Sequence, residues 1–278
     1  MPYVELRHSS GARLEVYLHG AHVTSWKNSG GREMFFVSKK SFFRPDTPIR
    51  GGIPVIFPQF GDGPLPKHGF ARISEWTFLG AESAADGCLE AKFELRHSQE
   101  SIKIWPHQFR LELVFRLGID VLEIVFSVHN AGLSEFTFKN GLHTYFAAGD
   151  ITGTNLEGLD GCKFIDFLSD PRPCLETRKN IDFACETDRV YPMAPDRLLL
   201  RHGAEGDAVI IEKQDMRDVV VWNPWIEKSM RMDDFGDDEY KNMVCVETGN
   251  LHENLTLLPG KTHISSSRFL KIAAGRGQ

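Results

Sequence analysis

The sequence has few cysteines and no apolar run long enough to cross a membrane as a helix. Its 5 cysteines are an odd number, and no two of them form a CxxC pair of the kind that binds zinc. We therefore expect reduced thiols and a cytoplasmic location, without a disulfide framework or a metal site. The first ten residues, MPYVELRHSS, also lack the apolar centre of a secretory signal peptide.

A surplus of positive charge is missing as well, since the formal net charge is −6. Nucleic-acid-binding proteins are usually basic, so we expect neither a nucleic-acid nor a membrane partner. The charge is uneven, because the segment from Lys39 to Arg72 has six cations and two anions. It therefore carries +4, which leaves −10 for the remainder of a total of −6. This basic segment is either a defined anion site or a solvated cationic loop, and charge alone favours the loop.

Long amphipathic helices are absent from the sequence pattern. Apolar and polar residues instead alternate over residues 14–18, 89–95, 109–117 and 122–128, which is typical of strands with one buried face. Gly118 and Asp120 lie between the last two segments and predict a hairpin turn there. With 25 glycines, 14 prolines and no internal repeat, the sequence predicts an all-β sandwich or barrel, with residues 1–278 as a single domain.

The signatures of several other enzyme classes are missing: there is no G-x-S-x-G elbow, no Walker-type loop and no dinucleotide fingerprint. His19 and His22 resemble metal ligands, but no third ligand accompanies them at a recognised spacing. The acidic run from Asp233 to Glu239 lacks the spacing of a calcium loop, and we interpret it as a solvated turn.

One long segment, IRGGIPVIFPQFGDGPLPKHGFAR at 49–72, contains five glycines and four prolines among apolar residues. This composition is typical of a packed irregular loop rather than a central strand. Its Arg50, Lys67, His68 and Arg72 could converge on an anion, because the arginine fork matches phosphate oxygens. An ordinary packed loop with surface cations explains the pattern equally well.

His143 lies in the strand-like segment NGLHTYFAAGD, on the face opposite Leu142. An imidazole with a reference pKa of ~6.5 can act as an acid near neutral pH. A hydrogen-bonded structural histidine is the alternative, and this segment alone favours it. Further along, Trp222 and Trp225 bracket Asn-Pro in VVVWNPWIEKSM, and aromatic rings suit the apolar faces of a sugar. Either tryptophan could equally belong to the core.

Glu247 lies in MVCVETGN, where Met243, Cys245 and Glu247 share one strand face. Burying an unpaired carboxylate is costly, so this glutamate needs a partner or a raised pKa, as a general base has. The alternative is a strand-end glutamate that meets solvent.

Six motifs between residues 49 and 250 resemble the aldose 1-epimerase (galactose mutarotase-like) superfamily, most closely its hexose-6-phosphate mutarotase branch. They are IRGGIPVIFPQFG, KHGFAR, GLHTYF, TDRVY, VVWNPW and VCVETGN. The resemblance implies a large antiparallel β-sandwich with an open sugar cleft on one sheet. It also implies a cofactor-independent isomerase that interconverts the α and β anomers of a hexose 6-phosphate, and we expect it to be a monomer.

The resemblance further implies roles for particular residues. It makes His143 the acid and Glu247 the base of ring opening. Two further groups would bind the substrate: Arg50, Arg72 and Lys67 at the phosphate, and His68, Asp188 and Gln59 along the sugar. Three alternatives remain: a mutarotase for unphosphorylated aldoses, a non-catalytic sugar-binding protein, and a structural β-sandwich.

Overall fold

The computed structural model describes residues 1–169, 172–202 and 207–272 of the chain. Within these ranges the chain forms twenty strands. In chain order they are β1 (Tyr3–Arg7), β2 (Arg13–Tyr17), β3 (His22–Lys27), β4 (Val55–Ile56), β5 (Thr77–Ser83), β6 (Leu89–Arg96), β7 (Phe109–Leu117), β8 (Val121–Asn130), β9 (Phe136–Leu142), β10 (Tyr145–Ala147), β11 (Asn155–Glu157), β12 (Lys163–Asp166), β13 (Cys174–Leu175), β14 (Asn180–Asp182), β15 (Thr187–Tyr191), β16 (Arg197–His202), β17 (Asp207–Gln214), β18 (Asp218–Asn223), β19 (Met243–Leu257) and β20 (Thr262–Ile272).

The helices are short. Two α-helical segments, α1 (Gln99–Ile104) and α2 (Trp225–Ser229), are accompanied by 3₁₀ turns at Ala71–Ile73, Ile151–Gly153 and Glu239–Asn242. In the described ranges, no helix has the length and apolar character needed to span a lipid bilayer.

Two large antiparallel sheets dominate the architecture. The nine-stranded back sheet has the order β14-β11-β16-β17-β20-β8-β7-β6-β5. The eight-stranded cleft sheet has the order β13-β12-β15-β18-β19-β9-β4, with β10 also paired to β19. Strands β1, β2 and β3 form a smaller third sheet. The predicted all-β fold is therefore confirmed in the described part of the chain.

The alternating segments became the strands that their sequences predict. Strand β7 covers the predicted span, and β2, β6 and β8 each overlap theirs with the apolar residues on the buried face. Strands β7 and β8 pair directly. Gly118 N–H donates to the carbonyl of Val121 at 2.9 Å, which closes the predicted hairpin turn. Local alternation thus specified both the strands and the face that each one buries.

The inner faces of the two large sheets share one apolar core. Phe269 of β20 lies 5.4 Å from Phe146 of β10 and 6.0 Å from Phe35, measured between ring centroids. All three rings are buried, as are Val244 and Val246 of β19. Truncating a buried phenylalanine of this kind to alanine typically costs ~3–5 kcal/mol, so this layer carries much of the stability.

Polar contacts also join the two sheets inside this core. Asn140 of β9 donates to Ser265 of β20 at 3.0 Å. The hydroxyl of Thr248 on β19 is hydrogen-bonded to that of Ser267 on β20. Asn250 donates to the side-chain oxygen of Asn140 at 3.0 Å, which extends the network along β19. Buried polar groups need such partners, so these contacts restrict how the sheets can be aligned.

The outer face of the cleft sheet carries the polar residues of interest. Along β19, Val244, Val246 and Thr248 face the core, so Cys245 and Glu247 face the opposite side. The segment at 49–72 is largely irregular, with β4 as its only strand in this fully described stretch, which confirms the loop prediction. It packs beside β9, because β4 pairs with that strand.

Candidate active site

A cleft of about 730 Å³ opens on the outer face of the cleft sheet. This volume is within the usual range for small-molecule sites. The cleft wall contains seven of the eight residues that the sequence assigned to chemistry or substrate binding. They are Arg50, Lys67, His68, Arg72, His143, Asp188 and Glu247. Residues from distant parts of the chain are thus brought to a single cavity.

His143 and Glu247 lie at the bottom of the cleft. Nε2 of His143 is 3.3 Å from Oε1 of Glu247, and their side chains are 8% and 2% exposed. Nδ1 of His143 and Oε2 of Glu247 are buried without a hydrogen-bond partner among the described residues. Buried polar atoms are rarely left in this state, so these two atoms are suited to bind polar groups of a ligand.

Burial shifts the pKa values of the two side chains in opposite directions. It raises the pKa of Glu247 well above 4.5, and the nearby charge of Asp188 adds to this effect. It lowers the pKa of His143 well below 6.5, together with the positive charges of the neighbouring side chains, Arg72 among them. A proton held by the pair is therefore favoured on the carboxyl group, while the imidazole stays neutral.

Aromatic rings hold the imidazole of His143 in place. Tyr145, two residues further on, stacks flat against it, with centroids 4.8 Å apart and an interplanar angle of 10°. Trp222 and His68 contact it edge-on, at 6.0 Å and 5.5 Å. The ring orientation thus depends on packing on three sides rather than on a hydrogen bond to Nδ1.

His68 presents a defined tautomer to the cleft. Its backbone has a φ of 60°, uncommon for a residue other than glycine, and its Nδ1 accepts a hydrogen bond from Gly61 N–H at 3.3 Å. Burial, and then the charge of Arg72, lowers the pKa of His68 to about 2. A neutral imidazole that accepts at Nδ1 carries its proton on Nε2. His68 can therefore donate a hydrogen bond from Nε2 to a ligand.

Arg50 and Arg72 form the cationic end of the cleft. Arg50 donates from Nε to Asp234 and from Nη1 to the hydroxyl of Tyr145, both at 3.1 Å. Arg72 donates to the backbone carbonyl of Lys67 at 2.7 Å, and it has no carboxylate partner within the described residues. Burial lowers the pKa of Arg72 to about 10. Its charge is thus available to a bound anion, whereas that of Arg50 is partly balanced.

Lys67 and Asp188 are also paired with neighbouring charges. Lys67 lies 3.3 Å from Asp62, and both side chains are largely exposed, so this pair contributes little to stability. Asp188 lies 3.4 Å from Lys228, whose ammonium group is 5.7 Å from the centre of the Trp222 ring. Burial raises the pKa of Asp188, and the charge of Lys228 opposes that rise.

Trp222 and Trp225 have different surroundings, and their sequence context had left open which of them belongs to the core. Trp222 lines the cleft and is buried to 8% exposure. Trp225 instead packs against Tyr240, with centroids 5.1 Å apart. Asn223 lies between them and donates to the backbone carbonyls of Tyr240 and Met243. Its amide thus links the end of β18 to the start of β19 and the 3₁₀ turn before it.

Gln59 is not among the residues that line the cleft. Its side-chain amide donates to the carbonyls of Gly61 and Leu65, and its oxygen accepts from Leu65 N–H. The amide thus holds the bend that leads into the KHGFAR motif.

The acidic run is more than the solvated turn that its sequence suggested. Asp234 is mostly buried and pairs with Arg50, and Glu239 accepts the backbone N–H groups of Lys39 and Gly236. Sequence reasoning missed Asp234, because five acidic residues crowd this run and nothing local shows which one pairs with Arg50.

The two histidines of HGAH brace the segment that carries Arg50. His22 is hydrogen-bonded through Nε2 to the carbonyl of Gly51 at 2.7 Å, and His19 to that of Thr47 at 2.8 Å. Burial lowers the pKa of His22 to about 3, so it is neutral. In the described part of the chain, no three His, Cys, Asp or Glu side chains are grouped to hold a metal ion.

Comparison with known proteins identifies the class of enzyme. The model of the aldose 1-epimerase family matches residues 2–269, and the chain belongs to that family. It is therefore an isomerase of the epimerase type, and a sugar substrate is consistent with this family.

Two curated relatives make the placement more specific. The chain is 38% identical over 268 residues to a provisionally named glucose-6-phosphate 1-epimerase of Cenchrus ciliaris, covering 93% of this chain and 81% of the relative. It is also 38% identical over 254 residues to a protein with the same provisional name from Escherichia coli strain K12, covering 90% and 84%.

A solved structure agrees in fold. A provisionally named mutarotase from Salmonella typhimurium superimposes with a TM-score of 0.90 and 31% sequence identity. The match covers 98% of this chain and 90% of the other. The galactose mutarotase-like fold that the sequence motifs implied is therefore confirmed.

Proposed function

We propose that this epimerase interconverts the α and β anomers of a hexose 6-phosphate, with His143 as acid and Glu247 as base. The observation that carries the proposal is the His143–Glu247 contact of 3.3 Å in a cleft whose wall also holds Arg50 and Arg72. The relatives named as glucose-6-phosphate 1-epimerases support the same substrate.

Ring opening begins when Glu247 accepts the proton of the anomeric hydroxyl while protonated His143 donates to the ring oxygen. The O–H electron pair forms the new carbonyl bond at C1, and the pair of the C1–O5 bond moves to the ring oxygen. Rotation about C1–C2 presents the other face of the aldehyde, and closure reverses both transfers. The ring opening and closure therefore involve neither a redox change nor a group transfer.

The pKa shifts suit both roles. A raised pKa makes the Glu247 carboxylate a stronger base, and a lowered pKa makes the His143 imidazolium a stronger acid. Ring opening leaves the proton on Glu247 and the imidazole neutral, which is the arrangement that burial favours. Once the pair is in its ionised form, with the proton on His143, both proton transfers of the opening step are therefore favoured. Each positioned group typically contributes about 10²–10⁴-fold to the rate.

The phosphate supplies binding energy away from the reacting carbon. Arg72 has no carboxylate partner among the described residues and can form charge-assisted hydrogen bonds with phosphate oxygens. Such remote binding energy can orient C1 and O5 at His143 and Glu247. His68, Asp188 and Trp222 remain for the hydroxyls and the apolar face of the sugar.

Magnetisation-exchange NMR between the α and β signals of glucose 6-phosphate tests the proposal. We expect the protein to accelerate exchange of glucose 6-phosphate far more than that of free glucose, and Glu247→Gln to abolish the acceleration. Equal acceleration of both sugars would favour a mutarotase for unphosphorylated aldoses. Binding without any exchange would favour a non-catalytic sugar-binding protein.

A further inference from the structure

Asp234 connects the acidic run to the cationic end of the cleft. Its Oδ2 lies 3.1 Å from Nε of Arg50, and the two side chains are 16% and 24% exposed. The next residue, Phe235, is fully buried and packs against Phe36 at 5.6 Å between ring centroids. Asp234 is therefore held against Arg50 by a firmly anchored backbone.

Other acids of the same run are paired at the surface. Asp237 lies 3.1 Å from Lys40, with side chains 61% and 53% exposed. Asp238 pairs with Lys241 in a similarly exposed position. Exposed pairs of this kind contribute little, so their loss should leave the cleft unchanged. They provide controls that match Asp234 in charge and in sequence neighbourhood.

The guanidinium of Arg50 is fixed at two of its three nitrogens. Nε donates to Asp234 and Nη1 to the Tyr145 hydroxyl, and Nη2 has no hydrogen-bond partner in the described part of the chain, so both of its hydrogens remain for a ligand. Tyr145 in turn stacks on His143. Asp234 and Tyr145 therefore fix Arg50 from two sides, and the imidazole of the proposed acid keeps its contacts with Tyr145, Trp222 and His68 without Asp234.

We infer that Asp234 is a positioning residue for the anion-binding end of the cleft: it orients Arg50 so that its free N–H groups meet the phosphate of the substrate. This inference rests on the proposed function. Preorganisation of this kind matters, because an unanchored arginine must lose side-chain freedom each time it binds.

A purely electrostatic role for Asp234 predicts the opposite effect. As a bystander charge, Asp234 would repel the phosphate, and its removal would tighten binding of any anion. As a positioning residue, it improves anion binding despite its negative charge, so its removal weakens binding. The sign of the change in KM therefore separates the two roles.

The experiment compares Asp234→Ala, Asp234→Asn and Asp234→Glu with the control Asp237→Ala. We expect Asp234→Ala to raise KM for glucose 6-phosphate about tenfold, the effect of one charge-assisted hydrogen bond. The value of kcat and the use of free glucose should change by less than about twofold. Inhibition by inorganic phosphate should weaken in parallel. Asp234→Glu should restore part of the loss, and Asp234→Asn, which keeps an acceptor, should be intermediate.

A lower KM for glucose 6-phosphate in Asp234→Ala would overturn the inference in favour of a bystander charge. Equal losses with both sugars, or an equal loss in Asp237→Ala, would also overturn it and indicate a structural role. Inorganic phosphate separates this inference from the proposed function, because its binding requires no catalysis. Wild-type protein that binds phosphate in an Asp234-dependent way but exchanges no anomers would refute the proposed function and support the inference.

Discussion

Replacing Glu247 by Gln removes the proposed base together with a charge that is costly to bury. The Glu247 side chain is 2% exposed, and its Oε2 has no partner among the described residues. Leaving such a group unsatisfied costs roughly 1–3 kcal/mol, and more when it is ionised. The neutral amide fills nearly the same volume without that charge. We therefore expect the variant to be inactive yet more stable than the wild type.

The size of this effect depends on pH. Because the folded-state pKa of Glu247 is raised, the folded protein holds the carboxyl proton more tightly than the unfolded chain. That contribution is fully present at low pH and is lost as pH rises through the folded pKa. Glu247→Gln should therefore gain ~1–3 kcal/mol at pH ~8, or roughly 2–6 °C in Tm for a chain of this size. The gain should be smaller at pH ~5, because the linkage contribution accumulates from the ordinary glutamate pKa of ~4.3 upward to the raised folded pKa.

Thermal unfolding at both pH values, with anomer exchange measured on the same samples, provides the assay. Activity should fall about 10²–10⁴-fold. Glu253→Gln is a matched control, because Glu253 is an exposed residue of the same strand. A Tm gain of equal size at both pH values, or no gain, would refute the idea that Glu247 bears a destabilising buried charge. Full activity in Glu247→Gln would refute its role as base.

Three further predictions concern the same cleft. The pH profile of kcat/KM should be bell-shaped, because activity requires one proton on the His143–Glu247 pair. Activity should decline at low pH, when the pair takes up a second proton, and at high pH, when the pair loses the first. A flat profile would exclude the pair. Arg72→Ala should reduce kcat/KM for glucose 6-phosphate about 10–100-fold with little effect on kcat/KM for free glucose. Lys67→Ala should change kcat/KM for either sugar less than threefold, because Lys67 and its partner Asp62 are exposed. Equal effects of Arg72→Ala on both sugars would contradict a phosphate role. Trp222→Ala should cost about 3–5 kcal/mol of stability. It should also shift the pH profile of kcat/KM, because Trp222 contacts His143. An unchanged profile in folded variant protein would show that other contacts orient the imidazole.

Strand positions were predictable from sequence because the alternation of apolar and polar residues is a local property. The same alternation placed Glu247 with Cys245 on one face of β19, and the structure agrees. Prediction of the site depended on the order of the motifs along the chain, because no local signal indicates that His143, between β9 and β10, meets Glu247 on β19. Their resemblance to a known family supplied that link.

Two features could not be predicted from the sequence, and the reason is physical. Asp234 became a partner of Arg50 through a contact between segments 184 positions apart, and several acids around it were equivalent in the pattern. Gln59 lies within a motif rich in cleft residues, yet its amide is occupied by the backbone of Gly61 and Leu65. In both cases the side chain's partner depends on tertiary geometry rather than on local composition.

The contact between Thr248 and Ser267 has a consequence for how this enzyme can vary. Adjacent side chains of a strand point to opposite faces, so Glu247 can face the cleft only while Thr248 faces the core. A shift of β19 by one residue would turn the carboxylate into the core between the sheets and the hydroxyl toward the cleft. Ser267 is buried on the opposite sheet, so we expect a bulky substitution there to lower turnover while leaving every residue of the cleft chemically intact.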